Sequence, residues 1–455
     1  MVEGRAAMAS AVYADLVDRL GRARVQIGEE AKKVCGLDPA SREGPLAVVQ
    51  PCSVEQVEHV VKVGRLRHVA VAVRGHLPAA QPEELRDLIV LDTSGLQRTP
   101  AVDIGRRVVT AGVGMTAAQV DRAARQARLS LRSLSALDGD QGIGALLGRG
   151  DPGELGLAQG SLLDDVVGAT VVVGSGRVLG LGAADALGMM PWLSQGLGHP
   201  LGQLLGSEGR LAVLCEVTLR LQPAPAAAWM SASLPPTREA LLAAATLARL
   251  LASARLVDSC LISETAGEQG ATPGVARLDL RLATWRGEAD LAATAAQIQL
   301  IAQDSGAIAR GVALGPLQPE SRRVKLGMDR GLWPQARQGG PSVDLQLSWP
   351  DLPTLIDLTA ALYAEAGAPP QRLWALGTDS LRLRCWLGEA TKAEGHPIVQ
   401  RAALLLDAGA VPVGVGSLLR SVARDRMPTN AKVLMAALQR AWDPEAVLAT
   451  RVGLL

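Results

Sequence analysis

Apolar residues along the chain change period several times, and each change marks a predicted element. Val12, Leu16, Leu20 and Val25 recur at helical spacing, so residues 8–34 are predicted as one or two helices before Pro39. From residue 46 the apolar runs become short and continuous, as in strands covered on both faces. Such runs fall at 46–49, 69–73, 88–92, 107–113, 169–173, 178–179 and 211–221. Ser53 is a suitable N-cap for a helix carrying Val57, Val60, Val61 and Val63, and Thr116 for one reaching Ala127. Glycine punctuates 139–160. Beyond Pro223-Ala224-Pro225 the order becomes strand 229–234, helix 237–254, strands 255–262 and 275–284, and helix 288–303. It then repeats as strand 343–348, helix 352–366, strands 372–375 and 380–387, and helix 397–408. Two copies of β-α-β-β-α predict a pair of ferredoxin-like units. A last helix, 431–442, stops at Asp443-Pro444.

This pattern gives an α+β fold class with four parts: a helical segment 1–44, a first α+β domain 45–225, a ferredoxin-like α+β domain 226–430, and a helix and tail 431–455. Composition sharpens the core. The 455 residues include no Phe, 2 Tyr and 8 Trp, yet 48% are hydrophobic, so Leu, Ala and Val must fill the interior. Lys+Arg (46) and Asp+Glu (45) nearly cancel, which argues against a nucleic-acid binder. No apolar run reaches the roughly 18 residues of a bilayer crossing. The charged start, with Glu3 and Arg5, lacks the apolar region of a signal peptide, so a cytoplasmic location is expected. The five Cys are scattered and the five His form no metal-ligand spacing, so no metal is expected.

An ordered set of motifs resembles the vanillyl-alcohol-oxidase/p-cresol-methylhydroxylase flavoproteins, in particular the FAD-linked subunits of glycolate oxidase and D-lactate dehydrogenase. Residues 45–57 are similar to the family's opening strand and helix, and Val71-Ala72-Val73-Arg74-Gly75 to the strand entering its pyrophosphate loop. Gly142-Ile143-Gly144 stands at its I-G-G loop, Asp165-Val166-Val167-Gly168 at its d-V-x-G stretch, and Gly206-Ser207-Glu208-Gly209 with Val213 at its G-S-E-G signature. Leu434-Met435 and Trp442-Asp443-Pro444 resemble its carboxyl end. The resemblance implies a two-part PCMH-type FAD-binding domain at 45–225 followed by a substrate/cap domain at 226–430, with oxidation of a small 2-hydroxy acid by hydride transfer to flavin. It implies cofactor contacts at Arg74, Gly75, His76, Gly142, Ile143, Gly144, Gly160, Gly209 and Val213. Residues 377–384 look like the shorter flavin subunit of glycolate oxidase, which implies a hetero-oligomer with a second flavin subunit and an iron–sulfur subunit.

The departures support an alternative. The family's R-G-x-G-T-S loop reads Arg74-Gly75-His76-Leu77-Pro78-Ala79, which lacks the second Gly and both hydroxyls. The second Gly of I-G-G is Ala145, and no family acid/base His is matched, so the catalytic residues stay unassigned. An FAD-less structural subunit of an oxidase complex therefore remains open, as does a small-ligand module reusing the cleft. Arg382 and Arg384 alternate along one strand and so share a face. That pair suits a substrate carboxylate, bound bidentately. An ordinary solvated strand face accounts for the same alternation.

Overall fold

The computed structural model describes residues 2–41, 43–75, 85–133, 142–150, 160–182, 200–265, 275–319, 342–368, 370–376, 381–387, 395–412, 419, 422 and 425–448. Two hydrophobic cores organise them. The first draws on residues between Val12 and Leu221, and on Val447 and Leu448. The second draws on residues between Ala228 and Leu419. Leu, Val and Ala supply most of both, as a chain without Phe requires. Among the described residues, no helix is long and apolar enough to cross a membrane.

In the first unit, β1 (Val25–Gln26), β2 (Ala47–Val49), β3 (Val71–Arg74) and β4 (Ile89–Asp92) form a sheet in the order β1-β2-β4-β3. The last three run parallel, with Ala47 and Val71 both paired to Ile89. The helix Val54–Arg67 makes the crossover from β2 to β3. It starts where Ser53 Oγ accepts the Gln56 amide, and it buries Val57, Val60, Val61 and Val63. A second sheet comprises β5 (Ala101–Asp103), β6 (Val108–Gly112), β7 (Leu129–Leu131), β8 (Val166–Val173), β9 (Val178–Gly182) and β10 (Ala212–Pro223). β10 is its spine, antiparallel to β6, β7 and β8.

The second unit is one eight-stranded sheet: β11 (Ala226–Leu234), β12 (Ser259–Thr265), β13 (Val275–Thr284), β14 (Gln318–Pro319), β15 (Ser342–Leu347), β16 (Arg372–Leu376), β17 (Leu381–Trp386) and β18 (Val411–Pro412). Its order is β14-β11-β13-β12-β16-β17-β15-β18. Each half, read in its own chain order, is fourth-first-third-second, the ferredoxin-like arrangement read from the repeat. The halves meet edge to edge through β12 and β16. The helices Arg238–Ser253, Glu288–Asp304 and Leu352–Glu365 bury apolar faces in the core of this unit.

Three local expectations change. Val25, assigned to a helix by spacing, lies in β1 opposite Val49, because Gly21 at φ 80° breaks the chain after the helix Val2–Leu20. The predicted helix 397–408 divides at Arg401, whose φ and ψ (−107°, 24°) are not helical. The glycine-rich stretch contains a helix, Ile143–Arg149.

Candidate functional site: a ring of glycine turns

The carboxyl ends of parallel strands are where open α/β sheets bind ligands. At that end of β3, separately encoded turns close on one another. A Cβ on Gly75 would lie 3.0 Å from the Cβ of Ala145, so the residue after β3 touches the helix Ile143–Arg149. That helix is bound to the turn at 206–209: the Gly206 amide donates to Leu147 O at 2.9 Å, and the Glu208 amide to Gly148 O at 2.9 Å. The turn returns to β3. Gly209 has φ 78°, and a Cβ there would lie 2.5 Å from the Cβ of Val73. The contacts thus run from 73–75 to 145–150, on to 206–209, and back to 73.

The glycines permit this closeness rather than furnish donors. Gly144 packs on Val113, where a Cβ would come within 2.9 Å of the Val113 Cβ. The Ile143 amide donates to Met115 O and the Gly144 amide to Val113 O, both at 2.9 Å. Ala145 and Leu146 donate to Gly142 O. Those amides are spent on the chain itself, so a phosphate must be met by other groups.

Arg210 is a buried cation beside this turn, and the sequence reading missed it. It directly follows Gly209, is 4% exposed, and its Nε donates to Ser207 O at 3.3 Å. Its only signal in the sequence is a charge at the head of the apolar run Leu211–Leu214. A buried guanidinium beside the ring suits a diphosphate. Among the described residues, a Cβ on Gly148 would meet nothing within 4 Å. The buried positive charge fits an anionic nucleotide cofactor.

The other positions implied by the resemblance are placed as follows. Arg74 ends β3 opposite Asp92, and its guanidinium lies beside Cys35. Burial pushes the Cys35 thiol up, and Arg74 opposes that rise. Val213 is buried in β10 opposite Val172. Gly160, at φ 92°, precedes Ser161, which caps the helix Leu162–Asp165. Its carbonyl accepts from Ser133 Oγ at 2.7 Å. His76 lies outside the described residues.

Arg382 and Arg384 sit on β17 in the second unit, and both bind Asp344 of β15. Arg384 Nε and Nη2 donate to the two carboxylate oxygens at 2.6 and 2.8 Å, and Arg382 Nη2 to Oδ2 at 3.2 Å. Asp344 stands directly opposite Arg384 in the antiparallel register. The shared face inferred from alternation is therefore present, and it carries an acidic partner from the neighbouring strand.

The turn at 206–209 offers a direct test of the ring. Gly209→Ala combines a left-handed backbone with a close contact to Val73. It is expected to cost about 2–3 kcal/mol of stability. Thermal unfolding measures it, and an unchanged midpoint would mean that the turn does not rest on β3.

Residues 45–182 match a family model described as an FAD binding domain. Over 181 residues the chain is 29% identical to a D-lactate dehydrogenase of Archaeoglobus fulgidus, covering 39% of this chain and 38% of that protein. Over 189 residues it is 31% identical to a D-2-hydroxyglutarate dehydrogenase of Xanthomonas citri pv. viticola, covering 40% of this chain and 38% of that protein. The matches thus span under half the length of these curated relatives. Among solved structures, p-cresol methylhydroxylase with substrate bound superposes with a TM-score of 0.76 at 15% identity, over 99% of this chain and 97% of that one. The 4-ethylphenol oxidase of Gulosibacter chungangensis superposes with a TM-score of 0.75 at 13% identity, over 97% and 96%.

Proposed function

We propose, from a first unit that is a PCMH-type FAD-binding domain, that the chain is an FAD-dependent oxidoreductase acting on a small 2-hydroxy acid. The observation that carries this reading is the closed ring of turns at the end of β3, with Arg210 buried beside it. Bound FAD would supply the redox chemistry, accepting hydride from the carbon that bears the hydroxyl. The turns at 73–75, 145–150 and 206–210 would hold its diphosphate. Arg210 would offset the negative charge. Arg382 and Arg384, both hydrogen-bonded to Asp344, would receive the substrate carboxylate. The names of the two curated relatives support the substrate class. Membership of a larger oxidase, beside a second flavin subunit and an iron–sulfur subunit, rests on the likeness of residues 377–384.

One observation favours a second reading, an FAD-less structural subunit: the amides of 143–146 are all engaged within the chain. An absorption spectrum of the purified protein separates the two. The expected result is a flavin spectrum, with FAD released on denaturation. Protein that is colourless, and stays so after incubation with FAD, overturns the enzyme reading.

A further inference from the structure

β10 ends at Pro223 and β11 begins at Ala226, so only Ala224 and Pro225 lie between them. Pro223 still belongs to the first unit, where it pairs with Leu129 of β7. Ala226 already belongs to the second, where it pairs with Thr284 of β13. One peptide group in this link is held from both sides. The Ala224 amide donates to Arg128 O at 3.0 Å. The carbonyl of the same peptide, Pro223 O, accepts from Trp285 Nε1 at 3.0 Å. Arg128 directly precedes β7 of the first unit, and Trp285 directly follows β13 of the second.

Units joined by a short link move relative to one another unless something restrains them. A peptide group is planar, so its N–H and C=O turn together. The Pro223–Ala224 plane therefore cannot rotate without breaking a bond to one unit or the other. Proline fixes φ at 223 and 225, and Ala224, preceding Pro225, is confined to extended conformations. The turn that carries the indole is braced as well. Thr284 Oγ1 hydrogen-bonds Asp290 Oδ2 and accepts the Arg286 amide at 3.1 Å. Trp285 itself is 59% exposed. Tryptophan is highly buried on average, so burial does not account for this residue, whereas its bond to the first unit does. The chain returns to the first unit through the helix Thr429–Trp442, none of whose residues is buried, so that crossing adds little packing.

Two strands connect this link to the two candidate sites. β10 starts two residues after Arg210, beside the ring, and ends at Pro223. β13 ends at Thr284, and its sheet continues through β12 and β16 to Arg382 and Arg384 on β17. We infer that Trp285 is a positioning residue: by clamping the Pro223–Ala224 peptide it sets the angle between the unit that holds FAD and the sheet that receives the substrate. The inference rests on the flavoenzyme reading above. The indole need touch neither cofactor nor substrate.

The test uses Trp285→Phe in the full chain, which keeps an aromatic ring and removes the donor. Spin labels report the angle without any cofactor. Cys52, in the first unit, is exposed and the other four cysteines are buried, so it takes one label. Leu404→Cys, at an exposed position of the helix Ala402–Asp407 in the second unit, takes the other. With Trp285 present the distance distribution is expected to be narrow, and Trp285→Phe should widen it about twofold. The melting temperature should hardly move, because the ring is exposed. An unchanged distribution overturns the inference. The second readout is flavin reduction: D-lactate or D-2-hydroxyglutarate is mixed anaerobically with FAD-loaded protein, and loss of the visible band is followed. The limiting rate should fall about tenfold and the half-saturating concentration change less than about twofold, since a displacement of about 1 Å can cost about a hundredfold. A wider distribution with an unchanged rate also overturns the inference, because the angle would then not govern hydride transfer. If the protein binds no FAD, or neither acid reduces it, the flavoenzyme reading fails by itself. The clamp is then judged by the label distances alone. Should Trp285→Phe fail to fold, Pro225→Gly loosens the same link, and the same two readouts decide.

Discussion

Replacing Arg372 with Met is expected to destabilise the second unit by about 3–5 kcal/mol. Arg372 is 2% exposed and Glu264 is 6% exposed, facing each other across β16 and β12. Arg372 Nη2 donates to Glu264 Oε1 at 2.7 Å, and Trp374 Nε1 donates to Glu264 Oε2 at 3.1 Å. Arg372 Nη1 reaches Ile356 O and Thr359 Oγ1 on the helix Leu352–Glu365. The guanidinium also lies over the Trp374 ring, 5.5 Å from its centroid. The pair thus ties the seam between the two ferredoxin-like halves to a covering helix. Removing Arg372 strands a carboxylate in an aliphatic interior, and Glu264→Leu strands a guanidinium. The double variant Glu264→Leu/Arg372→Met leaves neither charge and should recover most of the loss, because paired charges in a core roughly break even with apolar packing. A double-mutant cycle in guanidinium chloride measures this. Losses that simply add would mean that the pair is not coupled.

The sequence reads such a site poorly for a physical reason. Periodicity reports which face a residue occupies, not which residue faces it. Glu264 and Arg372 lie far apart in the chain and meet only once β12 and β16 pair at the junction of the repeats. Asp344 was missed in the same way. Alternation placed Arg382 and Arg384 on one face, but the register of β15 against β17 supplies the carboxylate between them. Apolar strands were far more legible. The run 275–284 coincides with β13, and the repeat predicted a pair of ferredoxin-like units, though not the short fourth strands Gln318–Pro319 and Val411–Pro412. The helix Ile143–Arg149 was hidden because Gly142, Gly144, Gly148 and Gly150 lower local helix propensity. Packing of Gly144 on Val113, with Ile143, Leu146 and Leu147 buried, overrides that propensity. The glycine motifs themselves were legible through resemblance. How their amides are spent was not, because that depends on which backbone each glycine lets approach.

Gly174→Ala is expected to cost about 3–5 kcal/mol, although it adds one methyl group to a turn between two strands. A Cβ at Gly174 would intrude on the Asp443 carboxyl group, reaching within 2.8 Å of the Asp443 Cβ. That carboxylate cannot swing away cheaply. It is buried, and its oxygens accept the amides of Val447 at 3.0 Å and Leu448 at 2.7 Å. The folded tail lies against β3, where the Val71 amide donates to Val447 O at 2.7 Å and Leu448 bridges Val71 in parallel. β3 is otherwise the edge of its sheet, and it leads directly to Gly75. Asp443 therefore latches the tail onto the strand that delivers the chain to the ring. Expelling it loses two charge-assisted hydrogen bonds and leaves the outer edge of β3 bare. Asp443→Ala should cost a similar amount, because the same amides lose their acceptor. The decisive comparison is the pair. With Asp443 already replaced by Ala, the methyl at residue 174 has room, and adding Gly174→Ala should cost under about 1 kcal/mol. Thermal unfolding of the four proteins provides the cycle, and the temperature of FAD release reports on the ring in the same samples. If Gly174→Ala costs as much without Asp443 as with it, the glycine serves the turn alone and the latch is not what holds β3.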